Sequence, residues 1–286
     1  MEMERTFGVI GGDRRQAELA KLLAQDGNRV TTYGLSQWKS GFEGPLERAA
    51  GADVVILPLP LCKGEGVLHC DECPMTTRDL FACLRPEQEV LAGQVRQAQR
   101  LEAAEYGVVL RDYFRREELT VINAAATAEA AIQVAMEQSD RSLLGLPCLV
   151  LGFGRIGKLL CHRLQGIGAD VATTARRPED LAWIRAYGFR CLRTDRLDGN
   201  LSGFGLVFNT IPSPVLNDAL LRQLPNDCVC IDLASVQGID SAAAERAGVV
   251  SVWARSLPGR MVPRTAAKAI LDTVYYMILE ERSDPA

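Results

Sequence analysis

The sequence lacks the features that would place the chain in a membrane or on nucleic acid. No apolar stretch reaches the length that spans a bilayer, and residues 1–5 do not resemble a signal peptide. Lysines and arginines number 32 against 36 acidic residues, with no basic run of the kind that binds nucleic acid. We therefore expect a cytoplasmic protein that binds neither membranes nor nucleic acids.

Histidine is scarce, because only His69 and His162 occur in 286 residues. His162 lies within a predicted helix, where a surface or packing role is expected. His69 lies in a cysteine-bearing loop and is at most a weak candidate for proton transfer. The sequence therefore names no catalytic acid or base.

The nine cysteines, an odd number, do not suggest a disulfide framework. Several lie within apolar strands and are expected to be small buried hydrophobic residues in a reducing compartment. A second group, around the C-x₂-C of Cys70 and Cys73, offers zinc ligands, but no second C-x₂-C or H-x₃-H follows at zinc-ribbon or zinc-finger spacing. We expect loop thiols and no metal, with a structural metal as the alternative. The group is Cys62, His69, Cys70, Cys73 and Cys83.

What the chain has in abundance is alternation of short apolar runs with helical segments. Its 48% hydrophobic and 24% charged residues are typical of a folded globular protein, and its length is sufficient for two domains. Strand, turn and helix follow one another at residues 7–25, and the same order recurs at residues 147–164. We predict an α/β protein with two Rossmann-like, doubly wound parallel-sheet domains facing a cleft.

The predicted domain boundaries follow from where this alternation is interrupted. The first, substrate-side domain is expected over residues 1–122 and is completed by a C-terminal helix over 265–281. An alanine-rich helix over 123–140 is expected to connect the two domains. The second domain, over 141–264, is expected to bind a nucleotide.

The nucleotide prediction rests on a G-x-G-x-x-G turn that follows the apolar strand over 147–151. Gly152 permits the tight turn, Gly154 lets the backbone approach a pyrophosphate, and Gly157 lets the helix pack closely on the strand. The start of the helix, with Arg155 and Ile156, supplies N–H groups for the phosphates.

The cofactor prediction rests on Arg176 and Arg177, which stand 24 and 25 residues beyond Gly152. An NAD site usually has an acidic residue here, whereas guanidinium groups suit the 2′-phosphate of NADP. We predict NADP, with NAD as the alternative if the two arginines are merely solvated.

Parallel sheets bind ligands beyond the carboxyl ends of their strands, so residues that follow the other strands of the second domain complete the predicted cofactor site. Asn209 and Ser235 are expected to orient the nicotinamide ribose or the substrate by hydrogen bonds. The added residues are Asn209, Thr210, Ile211, Pro212, Ser213, Ala234 and Ser235.

Five motifs in the same order as in a known family run along nearly the whole chain. They are G-G-D-x-R-Q at 11–16, L-G-F-G-R-I-G at 151–157, N-T-I-P-S at 209–213, D-L-A-S at 232–235 and L-P-G at 257–259. Together they resemble the family of dipicolinate synthase A-subunits. The resemblance implies NADP-linked oxidation of a dihydrodipicolinate ring to dipicolinate during sporulation. It also implies that a second, flavoprotein-like subunit is the partner, and a homo-oligomer stays open.

A dicarboxylate substrate requires cationic or N–H-rich partners, which Arg15 at a predicted helix start would supply. The alternative for Arg15 is an exposed arginine, and for Glu129 a helix-surface charge. The other substrate-binding residues are implied by the family motifs. The full set is Asp13, Arg15, Asn123, Thr127, Glu129, Pro258 and Gly259.

The chain departs from the family pattern at Ala124, Ala126 and Ala130, and at residues 236–239, where the family has Pro-Gly-Gly. These departures keep open a second hypothesis, another two-domain NAD(P)-dependent dehydrogenase of a small anionic acid. The lack of an evident acid–base pair keeps open a third, a non-catalytic nucleotide-binding scaffold subunit.

Overall fold

The computed structural model of the chain describes residues 5–64, 66–86 and 88–283. Packing divides this described chain into two compact units. One unit runs to Asn123 and resumes at Pro258, and the other is Ala124–Leu257. Each contains a parallel sheet with helices between its strands. The predicted fold class of two parallel-sheet α/β domains is therefore confirmed.

In the described part of the first unit, five parallel strands form one sheet. They are β1 (Thr6–Ile10), β2 (Arg29–Tyr33), β3 (Val54–Ile56), β4 (Glu89–Ala92) and β5 (Leu110–Asp112). Their order in the sheet is β2–β1–β3–β4–β5. Every residue of β3 is buried, as expected for a central parallel strand covered on both faces.

In the second unit, six parallel strands of the described residues form the other sheet. They are β6 (Pro147–Leu151), β7 (Asp170–Ala175), β8 (Arg190–Arg193), β9 (Leu206–Asn209), β10 (Val229–Asp232) and β11 (Val250–Trp253). Their order is β11–β10–β9–β6–β7–β8. The order turns back between β6 and β9, which places a topological switch point beside the carboxyl end of β6.

The helices connect these strands and cover both sheets. They are α1 (Arg14–Gln25), α2 (Leu46–Ala50), α3 (Thr77–Ala82), α4 (Gln97–Glu105), α5 (Glu117–Gln138), α6 (Arg155–Gly166), α7 (Pro178–Ala186), α8 (Asp218–Leu221), α9 (Ser241–Arg246), α10 (Leu257–Met261) and α11 (Pro263–Ser283).

The C-terminal helix α11 packs in the core of the first unit. Ile270 and Val274 lie in one buried cluster with Phe7 of β1 and Leu19 and Leu23 of α1. The hydroxyl of Tyr275 adds a hydrogen bond of 2.9 Å to the carboxylate of Asp26. Burial of several aliphatic side chains at about 1.5–3 kcal/mol each makes this contact a main source of stability for the first unit.

The helix expected over 123–140 begins earlier, at Glu117, and ends at Gln138. The division between the two units falls within it. By length and composition alone α5 meets the requirement for crossing a membrane, which corrects the expectation that no stretch does. Half of its most apolar window is buried inside the structure, as in the core helices of many globular proteins, so this is weak support for a membrane span.

Candidate functional site

The turn after β6 has the geometry that the glycine pattern predicts. Gly152 has a φ of +96°, which side chains disfavour, and a methyl group there would lie 2.6 Å from Thr210 Oγ1. A methyl group on Gly157 would overlap the carbonyl oxygen of Gly152. These two glycines therefore allow α6 to start directly against the end of β6.

Gly154, between them, differs because a methyl group built on it would have no atom within 4 Å. It is exposed, it is the N-cap residue of α6, and no side chain caps this helix end. The first N–H groups of a helix have no acceptor within the helix and carry a partial positive charge. The turn therefore leaves room, and backbone donors, for a phosphate group. Exposed Arg155 and half-buried Ile156 form the first turn of this helix.

Hydrogen bonds between neighbouring strand ends fix this turn. Thr210 Oγ1 donates to the carbonyl of Leu151 at 2.8 Å, and the Gly152 N–H donates to Thr174 Oγ1 at 3.1 Å. The loop that continues from Thr210 carries half-buried Ile211 and exposed Pro212 and Ser213.

Asn209 is fully buried, and its amide is engaged within the second unit. Its Nδ2 donates to Asp232 Oδ1 at 2.9 Å and to the Ile211 carbonyl at 3.1 Å, while its Oδ1 accepts from the Ile211 N–H. These hydrogen bonds show that Asn209 holds the 209–213 loop in place.

Asp232, which also has no exposed surface, caps the neighbouring loop. Its carboxylate accepts hydrogen bonds from the N–H groups of Ala234, Gly238 and Ile239 at 2.7–3.1 Å. This loop presents buried Ala234 and exposed Ser235 beyond the end of β10. Asp232 is therefore a structural residue.

The two arginines after β7 have different surroundings. Both are exposed, but Arg177 Nε donates to Asp180 Oδ2 at 2.8 Å and lies 3.4 Å from Glu179. Arg176 forms no hydrogen bond or ion pair with the described residues. Arg176 is thus available for an anionic ligand, and Arg177 already has an anionic partner.

A second polar group lies at the carboxyl end of β1, in the first unit. Asp13 caps α1 in a capping box with Gln16. Arg15 is only 5% exposed, so the alternative of an exposed arginine is excluded. Its Nε and Nη2 donate to the Asp13 carboxylate at 3.0 and 2.8 Å, and Nη2 also donates to the Leu59 carbonyl. Nη1 forms no hydrogen bond with the described residues.

The charge on Asp13 follows from this pairing. Burial alone would raise the pKa of Asp13, but the hydrogen bonds and positive charge of Arg15 outweigh it, and the pKa is lowered. Asp13 is therefore an ionised, hydrogen-bonded carboxylate that holds Arg15 in one orientation.

Gly259 packs directly on this ion pair. A methyl group there would lie 2.8 Å from Arg15 Nε and 2.9 Å from Asp13 Oδ2. Gly259 and its buried neighbour Pro258 belong to α10, in the same unit. The structure thus brings together four predicted substrate residues, which are Asp13, Arg15, Pro258 and Gly259.

The other three predicted substrate residues lie on α5. Asn123 is half-buried at the end of the first unit, and Thr127 is buried in the second. Glu129 is exposed and pairs with Arg163 of α6 at 2.8 Å, which matches the alternative of a helix-surface charge. Glu129 therefore already has a cationic partner within its own unit.

Sequence reasoning missed Gln16, which follows Arg15 by one residue and has no exposed surface. Its Oε1 accepts from the Asp13 N–H, but its Nε2 is enclosed and has no hydrogen-bond partner. The D-x-x-Q spacing of Asp13 and Gln16 is that of a capping box, so it could have identified Gln16 as a partner of Asp13.

The cysteines are free thiols. Cys62 and Cys70 are buried and Cys83 is exposed. Cys70 Sγ lies 3.6 Å from the Gly34 carbonyl and accepts from the Cys73 N–H at 3.3 Å. In the parts of the chain that the structure describes, no three His, Cys, Asp or Glu side chains are grouped to hold a metal ion.

Comparison with known proteins agrees with these motifs. Residues 6–114 match the family model for the N-terminal domain of the dipicolinate synthase A-subunit. The A-subunit of dipicolinate synthase from Bacillus subtilis is 28% identical over 97% of this chain and 97% of its own length.

Solved structures show the same similarity to dipicolinate synthase A-subunits. The A chain of dipicolinate synthase from Bacillus subtilis has a TM-score of 0.85 at 27% identity and covers 99% of this chain and 98% of its own. D-lactate dehydrogenase from Escherichia coli has a TM-score of 0.66 at 14% identity over 98% of both chains, a likeness of fold alone. Over nearly its whole length the chain is therefore similar to dipicolinate synthase A-subunits.

Proposed function

We propose that this chain is the NADP-linked oxidoreductase subunit of a dipicolinate synthase, which oxidises a dihydrodipicolinate ring to dipicolinate in the cytoplasm of a sporulating cell. The observation that carries the proposal is the open backbone at Gly154, at a helix end without a side-chain cap. The similarity to the A-subunit of dipicolinate synthase supports the choice of reaction.

The residues of the second unit fit a dinucleotide. The N–H groups at the start of α6 would bind its pyrophosphate, and Arg176 would pair with a 2′-phosphate. The loops that carry Ser213 and Ser235 would bind the nicotinamide end, with Asn209 and Asp232 holding them in place. When bound, the oxidised nicotinamide supplies the hydride acceptor.

The residues of the first unit fit one carboxylate of the substrate. Two of the three guanidinium nitrogens of Arg15 are engaged, which leaves Nη1, and α1 begins beside it with its N-terminal partial charge. Asp13 fixes the direction of the guanidinium, and Gly259 leaves it uncovered by a side chain. Pro258 and Asn123, which belong to the same unit, complete the substrate residues of this proposal.

The relative is named as one subunit of a synthase, so we propose that a second, flavoprotein-like subunit works with this chain. The test is an absorbance assay at the nicotinamide band, with dihydrodipicolinate and either NADP⁺ or NAD⁺, with and without that subunit. Reduction of NADP⁺ with dipicolinate as product supports the proposal. Nucleotide binding without turnover of any dicarboxylate contradicts it and favours a scaffold subunit.

We expect Arg176→Ala to weaken NADP⁺ binding by about tenfold to a hundredfold and to leave NAD⁺ binding unchanged. The reason is the loss of one charge-assisted hydrogen-bonding partner of the 2′-phosphate, worth about 1.5–3 kcal/mol. Isothermal titration calorimetry with both nucleotides measures the ratio of the NADP⁺ and NAD⁺ affinities.

The matched control is Arg177→Ala, which removes the neighbouring charge. Because Arg177 already pairs with Asp180, we expect a smaller change in the NADP⁺/NAD⁺ affinity ratio. An unchanged ratio in Arg176→Ala would contradict the assignment of the 2′-phosphate to Arg176.

A further inference from the structure

His69 occupies a fixed position beside the β1–α1 turn. Its backbone N–H donates to the Leu61 carbonyl at 2.9 Å, and its backbone carbonyl accepts from the Gly12 N–H. A methyl group on Gly11 would lie 3.0 Å from that carbonyl oxygen, so the two segments are in direct contact. The loop that carries His69 is thereby held against the turn that presents Asp13 and Arg15.

The hydrogen bond of the imidazole ring defines which nitrogen can take up a proton. The residue is 6% exposed, and Nδ1 lies 3.3 Å from the carbonyl oxygen of Pro60. A carbonyl oxygen only accepts, so Nδ1 carries the hydrogen and Nε2 of the neutral ring holds the free lone pair.

Nε2 is also accessible. It forms no hydrogen bond with any residue that the structure describes, and it is not among the enclosed polar atoms that lack a partner. A buried ring with one oriented, accessible lone pair has the geometry of a proton acceptor.

The charges around His69 suit that role. Burial is the largest effect and lowers its pKa, and Lys63 and Arg15 lower it further, while Asp13 opposes them. The ring is therefore neutral at neutral pH. Once it has accepted a proton, the carboxylate of Asp13 stabilises the imidazolium.

We propose that His69 is the proton acceptor of the oxidation, an inference that rests on the function proposed above. Conversion of a dihydropyridine dicarboxylate to its aromatic product removes one hydride and one proton from the ring. The oxidised nicotinamide, when bound, would supply the acceptor for the hydride and its two electrons. The proton would pass to Nε2 of His69, which would release it to solvent. Asp13 acts on His69 through its negative charge, and Arg15 holds Asp13.

The test is His69→Asn, because the asparagine amide keeps a donor near the position of Nδ1 for Pro60 and removes the acceptor at Nε2. We expect kcat to fall by about a hundredfold or more, within the range typical of general-base catalysis, with the Kd for NADP⁺ unchanged. Catalysis requires the neutral ring, so in the wild-type protein kcat/KM, which reports the free enzyme, should fall as the pH drops below the imidazole pKa. That acid limb should lie below 6.5 and be lost in His69→Asn.

If His69 had only a structural role, added imidazole would not restore the activity of a variant that lacks it. We expect free imidazole to restore part of the activity of His69→Ala, with substituted imidazoles ranked by their basicity. The control is His162→Asn, which changes the other histidine, an exposed residue of α6 that contacts Tyr187 and Phe189. It should leave kcat and the acid limb unchanged.

The outcomes separate the two proposals. If the wild-type chain turns over no dihydropyridine dicarboxylate, the proposed function fails and the role of His69 fails with it. If the wild-type chain is active and His69→Asn keeps its kcat within about threefold, or imidazole gives no rescue, only the role of His69 is overturned.

Discussion

Gly157→Ala should destabilise the second unit by about 3 kcal/mol and abolish measurable NADP⁺ binding. The added methyl group would overlap the carbonyl oxygen of Gly152 and lie 3.0 Å from its carbonyl carbon. Both partners are backbone, so the overlap is relieved only if α6 moves away from β6, and overpacking of this kind costs about 1–3 kcal/mol or more. Urea unfolding and titration calorimetry measure the two effects.

Gly154→Ala is the matched control, since it adds the same methyl group three residues earlier. Gly154 has φ −79° and ψ −165°, which alanine adopts readily, and the methyl group would enter open space. We expect a loss of stability of about 1 kcal/mol at most, because glycine is preferred to alanine at an N-cap but no atom is overlapped. NADP⁺ binding should nevertheless weaken about tenfold or more.

The pair of variants has two informative failures. If Gly157→Ala binds NADP⁺ and unfolds like the wild-type protein, the close contact between α6 and β6 is not required. If Gly154→Ala is stable and binds NADP⁺ with wild-type affinity, the pyrophosphate does not approach Gly154, and the nucleotide site of the proposal is wrong.

The nucleotide turn is predictable because its determinants are local. A buried apolar strand, three glycines at fixed spacing and a helix lie within twenty residues, and the positive φ of Gly152 and the tight position of Gly157 follow from that spacing. The same holds for α1, the helix that the sequence predicts within residues 7–25 and that the structure shows as Arg14–Gln25.

The surroundings of Arg15 are not predictable, because they depend on distant parts of the chain. The carbonyl that its guanidinium reaches belongs to Leu59, 44 residues later, and Gly259 packs on it from α10. No local pattern distinguishes such a buried arginine from an exposed one at a helix start. Contacts across the fold decide its burial.

Weak or conflicting local patterns explain the remaining differences. The edge strand β11 escapes prediction, because it is only four residues long and only partly buried. Helix α5 starts six residues earlier than expected, since Val121 and Ile122 are β-branched and apolar, a combination typical of strands. In the structure both are helical and partly exposed.

Asp232→Asn should destabilise the second unit by about 3–5 kcal/mol, although the two side chains have almost the same shape. Oδ1 of Asp232 accepts from Asn209 and Ala234, and Oδ2 accepts from Gly238 and Ile239. An asparagine amide has one oxygen, so its NH₂ group faces two hydrogen-bond donors in either orientation. Each buried donor left without an acceptor costs about 1–3 kcal/mol.

The substitution should also loosen the two loops that follow β9 and β10. The 232–239 loop loses its anchor, and so does Asn209, which holds the 209–213 loop. Hydrogen exchange of the Gly238 and Ile239 amides should rise, and NADP⁺ affinity should fall with the stability.

The matched control is Asp218→Asn, an exposed carboxylate paired with Arg222 and Arg246, which should change neither quantity. Wild-type stability in Asp232→Asn would mean that the two loops are held by their backbone contacts alone. The indirect role of Asn209 in nucleotide binding would then have no physical basis.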